Sequence, residues 1–434
     1  MSKSLSLKYW GFRLGALFLV FCGLLAVEGT LRIFKSNLAA RTNQFRINAE
    51  KTSARRYSAI KEPDPDLMWR LKPGSPIFGN ETLNNRGFRT APFTDKKPPG
   101  THRIVILGDS RSFGFGVPVR DALYGERIGT FLKQTNLLGP VEVINLSVIG
   151  YSSYQGSVLW KKSAASLDPD TVIIWFGFND LLYYHVMDHR AAESARLSRM
   201  IRSGLNHLYL VHWLRDLHIR YLMPQDRPIQ LEQVITRRVP PPFFRDNLES
   251  LIQRIRKRNA RVILLTSPVR PGIPMVLNSR KRIVTGDDGR LYARLITQYE
   301  IEKYWLMDAT VFPGPEAELD RLLDVNPDVA ILHYFKGRFF EQNGQPDAAA
   351  REFALSEELD ETRRTVAEYN DIIRDVARSS GATLVDLVPV FGQYDDLSLF
   401  VDDCHPGMNG HGLIAGEVIR AMTGIPSEVT VSGR

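Results

Sequence analysis

Short apolar runs recur along the C-terminal three-quarters of the chain, separated by stretches of helical spacing. Ile104–Leu107 is β-branched and unbroken by polar residues, as suits a strand buried on both faces of a parallel sheet. Val141–Leu146, Thr171–Phe176, Arg261–Thr266 and Thr383–Leu387 repeat the pattern. Between them, Leu123–Leu132 carries Ile128, Phe131 and Leu132 as a partial apolar face, and Tyr154–Ser166 suits a helix. In Arg245–Arg258, Leu248, Leu251, Ile252 and Ile255 recur at the spacing of one buried helix face. Val366, Tyr369, Ile373 and Val376 line another helix, stopped near Gly381, and Gly412–Met422 forms a last one. Strands alternating with helices predict a parallel sheet covered on both faces. The expected fold class is α/β: a flavodoxin-like, three-layer α/β/α domain with a five-stranded parallel sheet over residues 101–424.

The segments before this domain read differently. From Tyr9 to Val27 the one charge is Arg13, and roughly 20 apolar residues span a bilayer. Residues 1–28 are therefore expected to be a cytoplasmic tip and an uncleaved transmembrane helix. A cleaved signal peptide is the rival, but small residues are poorly placed for processing. Lys3, Lys8 and Arg13 flank one side and Arg32, Lys35 and Arg41 the other, so charge alone leaves the orientation open. Residues 29–60 read as a polar, basic stalk. In 61–100, proline and glycine punctuate Asp64–Gly74 and Asn84–Arg89, which predicts a strand-and-turn lead-in packed on the main domain. Residues 425–434 are a tail.

Two insertions interrupt the alternation. Residues 185–240 carry Leu197, Met200, Ile201, Leu205, Leu208, Trp213, Leu214 and Leu217 among many arginines. This fits a capping helical pair, or a surface facing membrane or substrate. His185 and His189 are four apart, yet no third metal ligand is evident, and Arg280–Arg282 reads as a solvated loop. The second insertion, 316–361, holds Tyr334–Phe353, which resembles one tetratricopeptide unit. Gly337, Phe340, Ala349 and Phe353 fall at the repeat's packing positions and Gly344 in its turn, while Lys336 replaces an apolar residue. Such repeats generally need about three copies to stand alone, so this hairpin is expected to pack on the main domain. It is either structural or a docking surface for a protein partner.

Composition changes the picture little. At 434 residues, 44% hydrophobic and 24% charged, the chain has ample material for a core. The net charge of +8 favours anionic surfaces without choosing among them, and no nucleic-acid-binding signature is present. Two cysteines, Cys22 and Cys404, make neither a disulfide framework nor a zinc site.

The candidate chemistry lies at the strand ends. Ligands of open parallel sheets bind beyond the carboxyl ends of the strands, where Gly108-Asp109-Ser110 ends the first strand and opens a helix. Asp402-Asp403-Cys404-His405-Pro406 follows the fifth. A carboxylate three residues before an imidazole reaches it across one tight turn. Asp402 then holds one ring nitrogen of His405 and leaves the other to take a proton from Ser110. Gly150 and Asn179 end the second and third strands, and a glycine N–H and an amide side chain are the donors an oxyanion hole needs.

In order, Gly108-Asp109-Ser110, Gly150, Gly177-Phe178-Asn179-Asp180 and Asp402–Pro406 resemble the motifs of the SGNH (GDSL-type) hydrolases, and the lead-in is similar to that of membrane-anchored bacterial members. The resemblance implies Ser110 as nucleophile, His405 as base and Asp402 as its orienter. It implies Ser110 N–H, Gly150 N–H and Asn179 as oxyanion donors, with no metal and no organic cofactor. Three departures stand out. Arg111 follows the nucleophile, where it either attracts an anionic acyl substrate or is a surface helix residue. Cys404 sits beside the base as a conceivable alternative nucleophile. The Gly-x-Ser-x-Gly elbow is absent, Ser112 occupying its last position. The implied function is a membrane-anchored serine esterase, its catalytic domain extracytoplasmic (periplasmic), cleaving an acetyl or short acyl ester of a lipid or polysaccharide. An O-acetyltransferase or deacetylase of envelope or exopolysaccharide is the alternative. A non-catalytic assembly factor docking through the hairpin is a further one.

Overall fold

The computed structural model describes residues 18–33, 60–77, 81–184, 187–193, 210, 213–214, 236–270, 316–394 and 397–425. His185, Arg280–Arg282, most of the first insertion, the stalk from 34 to 59 and the tail from 426 lie outside the described residues. The chain divides into two compact units, one of Met1–Ala59 with Glu193–Arg227, the other of Ile60–Ala192 with Pro228–Arg434. In the first, residues 18–33 are helical; Glu28 pairs with Arg32 and accepts the Leu210 N–H. No helix among the described residues is long and apolar enough to cross a membrane.

The second unit is built on five parallel strands: β3 (His102–Gly108), β4 (Val141–Asn145), β5 (Thr171–Trp175), β8 (Arg261–Leu265) and β9 (Thr383–Val385). Their order is β4-β3-β5-β8-β9, so the two chain directions away from β3 meet beside it, the switch point of a doubly wound sheet. The near-continuous apolar strands follow from burial on both faces. Ile104, Ile106, Ile173, Trp175, Ile263 and Leu265 join one core with α2 (Tyr124–Thr135) and α9 (Met408–Thr423). The alternate residues Val105, Leu107, Val172, Ile174, Val262 and Leu264 are also buried and point to the opposite face. There α4 (Pro241–Arg256) packs against α3 (Ser153–Lys162) and α8 (Glu361–Ser380).

Helix boundaries differ from the expected ones by their caps. α8 starts at Glu361 because Asp360 accepts the N–H groups of Thr362 and Arg363, and it ends where Gly381 turns left-handed. α4 starts at Pro241, a residue suited to the first helical position. The fifth strand is shorter than expected: Leu387–Phe391 is a helical turn.

The lead-in is an antiparallel hairpin, β1 (Lys61–Asp64) with β2 (Met68–Leu71), followed by turns. The first insertion is closed at its base by β6 (Tyr183–Tyr184) pairing β7 (Thr236–Arg237), and by Arg238 ion-paired to Asp188 at 2.9 Å, both buried. The second holds three helices, α5 (Glu316–Val325), α6 (Ala330–Gln342) and α7 (Pro346–Glu358), with α6 packed against both neighbours. A Cβ on Gly337 would lie 2.6 Å from the Phe353 ring, so a small residue is what lets α6 and α7 approach. Lys336 sits buried at an apolar position because Glu316 and Asp320 of α5 pair with its ammonium.

Candidate active site

β3 ends at Gly108, and Asp109 caps a single helical turn, α1 (Ser110–Phe113), by accepting the Arg111 N–H. The turn is tight: a Cβ on Gly108 would lie 2.5 Å from Ser112 Oγ. Ser110 is thereby raised at the carboxyl end of the first sheet strand. Its Oγ lies 2.7 Å from His405 Nε2, and His405 Nδ1 lies 2.7 Å from Asp402 Oδ2. The other Asp402 oxygen accepts the N–H groups of Cys404 (3.0 Å) and His405 (2.7 Å), and Val401 N–H closes the loop onto the His405 carbonyl at 2.8 Å. Asp402 thus shapes the turn with one oxygen and orients the imidazole with the other. All three side chains are buried, and the Phe115 ring lies against that of His405, centroids 4.5 Å apart.

The 150 loop is fixed from the lead-in. Gly150 has φ +83°, a left-handed conformation that glycine adopts without strain. Trp69 Nε1–H reaches the Ile149 carbonyl at 3.4 Å, and Arg238 donates to the Gly150 carbonyl at 2.8 Å. A trans peptide points its N–H opposite its C=O, so the indole's hold on Ile149 aims the Gly150 N–H away from Trp69. Neither that N–H nor that of Ser110 has a protein acceptor among the described residues. Asn179 Nδ2 donates to the Tyr151 carbonyl at 3.1 Å, which spends one of its two amide hydrogens.

Asp180 sets that loop: one oxygen accepts the Ser153 N–H (2.9 Å) and hydroxyl (2.5 Å), the other the Gly177 N–H (3.0 Å). Burial pushes its carboxyl up to about 6, against the pull of the Ser153 donors.

Two features of the sequence take a different role from the one expected. Arg111 is neither a surface residue nor a substrate-facing cation. It is buried, paired to Asp109 at 2.7 Å, hydrogen-bonded to Ser267 Oγ, and lies 4.7 Å over the Trp175 ring. Cys404 Sγ lies 3.5 Å from His405 Nδ1, the nitrogen that Asp402 occupies, whereas Nε2 serves Ser110. The thiol, the Asp402 carboxylate and Nδ1 lie within 4.8 Å of one another, so a cation there would replace the hydrogen bond that orients the imidazole.

Other contributors carry no readable signal in the sequence. Arg89 is buried and donates to the carbonyls of Gly114 (2.7 Å) and Val117 (2.9 Å), tying the lead-in to the loop after the serine. His411 accepts the Tyr124 N–H and stacks on the Tyr124 ring; burial, with Arg89 and Arg127 nearby, pushes its imidazole down to about 3, so it stays neutral.

A serine hydroxyl bonded to an imidazole that a carboxylate orients can add to a carbonyl carbon, and N–H groups without a protein acceptor are the kind of donor that an oxyanion needs. No curated protein matches the chain. Among solved structures, a lipase/acylhydrolase from Enterococcus faecalis is 16% identical, with 75% of this chain and 99% of that one covered and a TM-score of 0.37. The acetyl xylan esterase AlAXEase is 16% identical (74% and 98% covered, TM-score 0.36). A catalytic mutant of an acetylxylan esterase from Geobacillus stearothermophilus is 14% identical (74% and 94%, TM-score 0.38). The model of the GDSL-like lipase/acylhydrolase family matches residues 106–413, a span holding every motif of the site. The chain belongs to the GDSL-like lipase/acylhydrolase family and is an ester hydrolase.

Proposed function

We propose that this protein is a membrane-anchored serine esterase that removes an acetyl or other short acyl group from an ester-bearing lipid or polysaccharide. The observation that carries the reading is the unbroken chain Ser110 Oγ–His405 Nε2 and His405 Nδ1–Asp402, each link 2.7 Å. Ser110 attacks the ester carbonyl while its proton passes to Nε2, and Asp402 stabilises the imidazolium that forms. The oxyanion is received by the N–H groups of Ser110 and Gly150 and the second amide hydrogen of Asn179. His405 returns the proton to the leaving alcohol, and water repeats the sequence on the acyl-enzyme, releasing the acid. No step needs a cofactor. A fluorophosphonate probe is expected to label Ser110, and Ser110→Ala to abolish both labelling and ester cleavage with melting unchanged. Labelling that survives in Ser110→Ala refutes the assignment; acyl transfer to an added sugar in preference to water would instead mark a transferase.

Residues 1–28 are proposed as the anchor, with the catalytic domain outside the cytoplasm. Phe18, Leu19, Phe21 and Leu25 stand more than half exposed on the 18–33 helix, apolar surface that lipid would cover. Release of the intact protein from membranes by alkaline carbonate refutes the anchor. The α6–α7 hairpin is proposed as a tetratricopeptide-like unit, on the strength of the Gly337–Phe353 approach and the buried Ala349.

A further inference from the structure

Lys61, on the first strand of the lead-in hairpin, is half-buried, and its Nζ lies 4.7 Å over the ring of half-buried Trp69. The same ammonium would lie 3.5 Å from a Cβ on Gly150, whose nearest neighbour would be Trp69 itself at 3.3 Å. An amino acid's N and Cβ are about 2.5 Å apart by standard bond lengths, so the ammonium stands within about 6 Å of the Gly150 nitrogen.

The surrounding carboxylates are committed elsewhere: Glu62 to Arg70, Asp64 and Asp66 to Lys162, and Asp188 to Arg238. The neighbouring cation is committed too, since the Arg238 guanidinium binds Asp188, Gln155 and the Gly150 carbonyl. Lys61 has neither carboxylate nor hydrogen-bond acceptor among the described residues. Burial, then the charge of Arg238, lowers its pKa to about 8, so it is largely cationic at neutral pH. A partly desolvated ammonium with three donors and no acceptor is costly unless an anion completes it.

We propose that Lys61 and the Trp69 ring form an anion subsite beside the oxyanion loop, which selects esters carrying a carboxylate a few bonds from the scissile carbonyl. This rests on the reading that Gly150 lines the reaction centre. The carboxylate takes up to three charge-assisted N–H donors from Lys61, whose ammonium the indole face holds in place. Arg238 fixes the indole and the loop without being drawn onto the ligand.

The test compares 3-acetoxybenzoate with its neutral methyl ester on the full chain. In wild type against Lys61→Met, the ratio of kcat/KM for the anionic over the neutral ester is expected to fall about tenfold, the size of one charge-assisted contact. Lys61→Arg restores much of the ratio, and Lys61→Glu drives it below that of Lys61→Met. An equal ratio in wild type and Lys61→Met overturns the subsite. Calorimetric titration of 3-acetoxybenzoate into Ser110→Ala, with and without Lys61→Met, gives the same comparison without turnover. Affinity that depends on Lys61 supports the subsite even if Ser110 proves not to be the nucleophile, and affinity indifferent to Lys61 overturns it.

Discussion

Arg111→Ala tests whether the cation following Ser110 faces substrate or holds the turn that carries the serine. Its guanidinium and the Asp109 carboxylate are each 1% exposed and meet at 2.7 Å. Truncation leaves Asp109 Oδ1 with the Arg111 N–H at 2.9 Å and Oδ2 with no partner among the described residues. It also strips Ser267 Oγ of its donor and removes the cation above Trp175. Breaking a buried pair on one side costs about 3–5 kcal/mol, because the remaining charge stays desolvated. At about 2–4 °C per kcal/mol for a domain of this size, melting falls by about 10 °C. Turnover falls with it, since Asp109 caps the turn that presents Ser110. The combined Asp109→Asn, Arg111→Met protein recovers much of the loss, because replacing both partners by neutral groups removes the stranded charge. Differential scanning calorimetry measures the first effect. Hydrolysis of 3-acetoxybenzoate against its methyl ester measures the second, which falls by the same factor for both esters. Unchanged melting with a loss confined to the anionic ester would refute this reasoning and return Arg111 to the substrate.

Asn179→Ala is expected to lower kcat by roughly 10²–10³ with little change in KM, because its free amide hydrogen acts on the oxyanion and hardly on the ground state; an equal rise in KM would place Asn179 in substrate binding instead. Asp180→Ala, which frees the 177–180 loop from Ser153, reproduces part of that kcat loss, and Asp180→Asn, which keeps an acceptor for Ser153, gives back some of it; pre-steady-state acylation rates measure both.

The alternation of buried strands and amphipathic helices is written in local sequence, because side-chain periodicity follows from backbone geometry wherever one face is buried. It delivered the five parallel strands and the main helices with small errors at their ends, where caps such as Asp360 and Pro241 decide. The residues of the candidate site were legible too: Ser110 directly follows the end of the first sheet strand, and the Asp402–His405 pair is a three-residue spacing that a single turn closes. Tertiary structure alone decided what Arg111, Arg89 and Lys61 do. Nothing local distinguishes Arg111, closed against Asp109 and Trp175, from an exposed helix arginine. Nothing in the lead-in shows that Arg89 reaches the carbonyls of Gly114 and Val117, or that Trp69 and Lys61 lie against the loop of Ile149 and Gly150, about 80 to 90 residues away in sequence. A cation's role depends on which carboxylates and carbonyls long-range packing brings within reach, and on how much water that packing removes; the chain fixes neither until the sheet, hairpin and loops are assembled.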